Sequence, residues 1–149
     1  MDVNECMSTK VCFCTPNSSV KDVAKLMCDN HVGCIPVCDD KNCVVGVITD
    51  RDVILRTIAC DKNPDNTKVT EIMTTNPCCC SPDTKISDAT KMMSELQIRR
   101  IPVCDTNNKI VGMLSLGDLA HHDKKVGQNE VCATLENICK CNGNTKNAE

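Results

Sequence analysis

The chain has almost no aromatic residues: Phe13 is the single one, with no Trp and no Tyr. A core of stacked rings is thereby excluded, and so is the aromatic platform on which single-stranded nucleic acids lay their bases. Positive charge is also short, since 17 Lys and Arg stand against 20 Asp and Glu, giving a net charge of −3 and a pI near 5.6. No basic run exists to neutralise phosphates, which argues against a nucleic-acid partner. Long apolar runs are missing too. The densest, Cys43 to Ile48, is far too short to span a membrane, and Met1-Asp2-Val3-Asn4-Glu5 is acidic where a secretory signal is basic and then apolar. No membrane segment and a cytoplasmic location are the expectation. There is no Walker loop and no nucleophile beside a base, so no enzyme is expected.

Cysteine is what the chain has in excess, with 15 residues. In a secreted protein of this size they would be a disulfide scaffold, but in a reducing cytoplasm they stay free and act as small hydrophobes. Cys38 and Cys104 each follow Val in matching strands, and Cys28, Cys34 and Cys43 take positions that suit an aliphatic residue. The clusters Cys12-Phe13-Cys14, Cys78-Cys79-Cys80 and Cys139-Lys140-Cys141 have the chemistry for a soft metal or a redox pair. Strand alternation puts Cys12 and Cys14 on one face, where packing is the simpler reading. His121 and His122 beside Asp123 are adjacent on a helix, so they diverge and make a poor metal pair.

The chain repeats itself. Residues 5–54 lie on residues 71–120 without a gap at a shift of 66. Cys12-x-Cys14-x-Pro16 returns as Cys78-x-Cys80-x-Pro82, Ile35-Pro36-Val37-Cys38-Asp39 as Ile101-Pro102-Val103-Cys104-Asp105, and Gly46-x-x-Thr49-x-x-Asp52 as Gly112-x-x-Ser115-x-x-Asp118. One copy is too short to bury a full core, so the two should pack together. Each copy reads as strand, helix, strand, strand, helix. An extended piece over 9–16 leads to a helix capped by Ser18 or Ser19, with Val20, Val23, Ala24 and Met27 on one face; Ile86, Ala89 and Met93 repeat that face. Strands over 34–38 and 43–48 flank the turn Asp39-Asp40-Lys41-Asn42. The expected division is 1–62 and 63–124 with a linker over 60–70, then 125–149. In that last part a helix over 127–140 presents Val131, Leu135 and Ile138, Gly143 can end it, and 142–149 reads as a disordered tail.

The run Val44, Val45, Val47, Ile48 passes directly into Thr49-x-x-Asp52, a β-branched strand meeting a helix start. Such a start exposes N–H groups and the positive end of the helix dipole, so a hydroxyl and a carboxylate there can hold a phosphate and a sugar diol. Alone, [ST]-x-x-[DE] is a capping box. Here it occurs twice, as Thr49/Asp52 and as Ser115/Asp118.

The ordered series of these motifs in both copies, over about residues 3 to 124, resembles the cystathionine-β-synthase (CBS) domain, and two in tandem resemble a stand-alone Bateman module. The resemblance implies an α/β (α+β) fold: two βαββα repeats packed with pseudo-two-fold symmetry, plus the C-terminal helix. It also implies a regulatory module that senses an adenosine-containing ligand, an adenine nucleotide (AMP, ADP or ATP) or one like S-adenosylmethionine, in the cleft between the repeats. The carboxylate of the last motif would hold the ribose. By the same resemblance Thr49 and Asp52 should face Arg99, Arg100, Ile101 and Pro102, while Ser115 and Asp118 should face Gly33, Cys34, Ile35 and Pro36. Two guanidinium groups would then make the first site the phosphate-preferring one. A homodimer and an unknown regulated protein partner are implied as well. The alternative is a thiol-based redox- or metal-responsive protein on the same scaffold without a nucleotide.

Overall fold

The computed structural model describes residues 1–140. Gly143, Cys141 and the tail expected over 142–149 lie outside the described residues. The elements are α1 (Val20–Asn30), β1 (Cys34–Cys38), β2 (Val44–Thr49), α2 (Asp50–Arg56), β3 (Thr74–Thr75), α3 (Ile86–Leu96), β4 (Arg100–Cys104), β5 (Ile110–Ser115), α4 (Leu116–His121), α5 (Asp123–Val126) and α6 (Gln128–Cys139). Among the described residues no helix is long and apolar enough to cross a membrane.

Local chemistry builds each repeat in the same way. Ser19 caps α1 by accepting from the Asp22 N–H at 3.1 Å, and the helix ends where His31 turns left-handed at φ 54°, as Gln97 does after α3. Asp39 closes the hairpin turn with one carboxylate oxygen that accepts from Lys41 and Cys43 N–H groups at 2.9 Å, and Asp105 does the same for Asn107 and Lys109. β1 pairs antiparallel with β2 and β4 with β5, in matching register. The expected first strand of each copy contracts to one parallel bridge, Cys14 to Val37 and Cys80 to Val103. Pro16 and Pro82, two residues on, have no N–H with which to extend the ladder.

The two repeats exchange their leading segments. Val3 and Cys6 are buried among Ile86, Met93, Ile101 and Leu114 of the second repeat, whereas Val69 and Ile72 are buried among Val20, Val23, Ile35 and Ile48 of the first. The backbone bonds obey the 66-residue shift: Val3 N–H donates to Thr84 O and Val69 N–H to Ser18 O, both at 2.9 Å. β3 adds to β2 as Ser8 adds to β5, through its bridge to Met113. Close approach of these segments needs glycine in the receiving strand. A Cβ on Gly46 would lie 2.6 Å from Met73 Sδ and 3.0 Å from the Thr74 carbonyl, with the same at Gly112 against Met7 and Ser8. The hairpin turns then meet across the pseudo-two-fold axis, where Val44 N–H donates to Asn108 O and Ile110 N–H to Asn42 O.

The symmetry breaks at the C-terminus. α6 lies on α3 and α4, inserting Ile138 into the second core, and Glu130 accepts the Thr90 hydroxyl at 2.8 Å. The first repeat has no such cover. Ala24, the counterpart of buried Thr90, is therefore exposed, and so is Cys28; these two positions depart from the expected apolar set. On α6 the docking stripe is Val131, Thr134 and Ile138, and Leu135, expected to dock, is 42% exposed because it falls beside that stripe.

Candidate functional site

Each β-hairpin delivers its last residue as a helix cap, and the two caps are near copies. Thr49 Oγ1 accepts from Asp52 N–H at 3.1 Å while Asp52 Oδ2 accepts from Thr49 N–H at 2.9 Å. Ser115 and Asp118 repeat this at 3.1 and 2.7 Å, with the Ser115 hydroxyl also donating to Asp118 Oδ2 at 2.6 Å. In both cases the cap uses one carboxylate oxygen and leaves Oδ1. Asp52 Oδ1 lies 3.6 Å from Arg56 Nε, and the side chain is 15% exposed. Asp118 Oδ1 accepts from the Ser8 hydroxyl at 3.2 Å.

The backbone of the first α2 turn is already satisfied. Asp50 N–H donates to Gly33 O, Arg51 N–H to Asp50 Oδ1 and Asp52 N–H to Thr49 Oγ1. A phosphate at this end would therefore be held by side-chain cations, not by helix N–H groups. The expected arginine pair separates. Arg99 Nη2 reaches Cys139 Sγ on α6 at 3.9 Å, whereas Arg100, one residue on and so on the other side of the strand, stands in register with Ser115 and acts on the Cys34 thiol of the first repeat. Cys34 itself is in register with Thr49. Its thiol is pushed up to about 11, chiefly by burial, with Arg100 pulling it down and Asp52 and Asp50 pushing it up. Cys34 thus senses cation and carboxylates from both repeats.

Ile35 and Ile101 are fully buried in the cores of their own repeats. Pro36 and Pro102 are buried too, and their carbonyls accept from Cys14 and Cys80 N–H groups. All four side chains are packed inside the repeats, at the strand positions that lead to the caps. One residue absent from the expected site, Ser8, stands beside a cap carboxylate. Ser8 binds Asp118, and the chain that leaves it, Lys10 to Cys12, lines with His31 and Val32 an open depression of about 370 Å³. This path joins Asp118 to the segment just before Gly33 and Cys34, and Lys10 puts a cation on it. A second depression of about 340 Å³, between Ser94, Gln97 and Lys140, touches no cap residue. His122 serves its helix, with Nδ1 2.9 Å from the Asp118 carbonyl. Among the described residues no three His, Cys, Asp or Glu side chains are placed to hold a metal ion.

Against known proteins, the model of the CBS domain matches twice, over residues 3–57 and 69–125. The CBS domain-containing protein YhcV of Bacillus subtilis is 40% identical over 118 residues, covering 79% of this chain and 82% of its own. The crystal structure of CBSX2 in complex with AMP superposes with a TM-score of 0.73 at 26% identity, covering 84% of this chain and 97% of that one; CBSX2 comes from Arabidopsis thaliana. The CBS domain pair of protein MJ0100, in complex with 5′-methylthioadenosine and S-adenosyl-L-methionine, gives a TM-score of 0.73 at 25% identity, covering 82% and 98%.

Proposed function

Because this chain belongs to the CBS-domain family and carries two copies in tandem, we propose that it is a cytoplasmic regulatory module. It binds an adenosine-containing ligand between its repeats and passes occupancy to a partner protein. The observation that carries this reading is the duplicated capped carboxylate, with Cys34 and Arg100 from opposite repeats beside it. Asp52 and Asp118 each have an oxygen, Oδ1, outside the cap that can meet a ribose hydroxyl, at Asp118 alongside Ser8. Arg100 with Asp52, and Lys10 with Asp118, supply the cation for a phosphate or the carboxylate of an amino-acid-bearing nucleoside. The AMP complex of CBSX2 and the adenosyl complex of MJ0100 support this ligand class. Calorimetry with adenosine, AMP, ATP and S-adenosylmethionine tests it. Arg100→Ala should weaken AMP by roughly 1.5 to 3 kcal/mol, the contribution of a charged hydrogen bond, and leave adenosine unchanged. If none of the four binds, the reading fails; if AMP is indifferent to Arg100, the assignment of that cation fails.

The homodimer belongs to the same proposal. α2 buries none of its residues, and Ile54, Leu55 and Ile58 are 55%, 44% and 60% exposed. On the second repeat the matching positions, Ala120, His121 and Lys124, are exposed too but carry no large apolar side chain, so the apolar face is that of the first repeat, and a second copy packed there about a two-fold axis would cover it. Sedimentation should give a dimer for the wild type and a monomer for Ile54→Glu/Ile58→Glu. A monomeric wild type at tens of micromolar would remove this part of the reading.

A further inference from the structure

The core at the pseudo-two-fold axis is made largely of sulfur. Cys38 and Cys104, one from each repeat, meet there with Val44, and Ile110 and half-buried Cys79 pack against them. Cys79 breaks the symmetry, since the residue 66 positions earlier is Phe13, which is 43% exposed. The parallel bridge between Cys80 and Val103 sets the geometry. Cys80 and Val103 face the core of the second repeat, so their chain neighbours Cys79 and Cys104 share the opposite face. There the Cys79 side chain packs against the cluster that holds Cys104, and Cys79 Sγ donates to the Pro77 carbonyl at 3.5 Å.

We infer that Cys79 and Cys104 form a reversible disulfide in response to hydrogen peroxide, an oxidation site confined to the second repeat. The pair has unequal members, as such a site needs. The neighbouring Cys104 thiol draws the Cys79 thiol down against its partial burial, and Cys79, with burial, pushes Cys104 up. In other buried thiols burial dominates and the net push is upward, Cys14 to about 12 and Cys38 and Cys80 to about 11. The half-exposed Cys79 thiolate attacks one peroxide oxygen, the O–O bond breaks, and hydroxide leaves, giving a sulfenic acid. Cys104 Sγ then attacks Cys79 Sγ, the S–O bond breaks, and the hydroxyl leaves as water with the Cys104 proton. Two thiols are oxidised and one peroxide is reduced to two waters. Vicinal Cys78 is a poor partner, because adjacent Cα atoms about 3.8 Å apart fall short of the roughly 4.4 to 6.8 Å that a disulfide spans. Cys38 lies in the same cluster, yet among the described residues no three His, Cys, Asp or Glu side chains are placed to hold a metal ion.

The test is peptide mapping. Reduced protein is treated with hydrogen peroxide, unfolded, alkylated with iodoacetamide and cut with trypsin. The expected product joins residues 69–85 to 101–109, lacks two hydrogens relative to the two peptides, and disappears on reduction. Cys104 is the sole cysteine of its peptide, Cys79→Ser should remove the product, and Cys78→Ser should retain it. Alkylated Cys104 after oxidation, a Cys104–Cys38 product, or a crosslink that survives Cys79→Ser would each overturn the inference. Circular dichroism melts of Cys79→Ser and Cys79→Val ensure that at least one folded variant is compared.

Discussion

At one hundred times its dissociation constant, AMP should stabilise the protein by about 2.7 kcal/mol, because a ligand that binds only the folded state shifts unfolding by mass action. For a chain of this size that is a rise in melting temperature of roughly 5 to 11 °C. Asp52→Ala should lose most of the rise, yet it also removes half of a capping box, so Asp52→Asn is the sharper variant. Its amide oxygen can still accept from Thr49 N–H, the bond that Oδ2 now makes at 2.9 Å, which keeps the helix start intact. What it presents toward the ribose is an N–H₂ group where the carboxylate had an acceptor. Losing a hydrogen bond to a charged group costs about 1.5 to 3 kcal/mol, roughly ten- to a hundredfold in affinity. An Asp52→Asn protein that melts like the wild type without ligand and responds equally to AMP would remove Asp52 from the site. Asp118→Asn should have the smaller effect on AMP, since its Oδ1 already holds Ser8.

Removing residues 1–8 should destabilise the second repeat, although those residues belong by sequence to the first. The deletion takes fully buried Val3 and nearly buried Cys6 out of the second core. It also uncovers Gly112, breaks the two bonds between Ser8 and Met113, and removes the acceptor that Met1 provides for Ile86 N–H. Two buried apolar side chains at about 1.5 to 3 kcal/mol each, with the smaller Cys toward the low end, give a loss of roughly 3 to 5 kcal/mol. Against a net stability of about 5 to 15 kcal/mol that is a large fraction. The chain has no Trp, so urea unfolding is followed by circular dichroism, with amide exchange to locate the damage. Protection should fall first at Ile101 and Leu114 and less at Ile35 and Ile48. A loss below 1 kcal/mol, or exchange that rises equally in both repeats, would show that the exchanged segment contributes little.

The sequence by itself determined what depends on neighbours along the chain. The 66-residue repeat, the caps at Thr49 and Ser115, the turns at Asp39 and Asp105, and the buried faces Val20/Val23/Met27 and Ile86/Ala89/Met93 were all legible, because capping and helical or strand periodicity act over a few residues. The family could be recognised from those motifs. Tertiary structure alone decided what depends on residues far apart. That Val3 and Val69 serve the opposite repeat follows from which core has room, and no local pattern distinguishes a segment packed on its own copy from one packed on the other. Ala24 and Thr90 occupy equivalent positions with opposite exposure only because α6 arrives on one repeat. Arg99 and Arg100 read as one basic pair, and strand alternation sends one to α6 and the other toward Cys34. Ser8 approaches Asp118 because the leading segment crosses between repeats. Within the second repeat a sheet bridge between chain-distant pieces brings Cys79 against Cys104, a contact that spacing in the sequence does not encode.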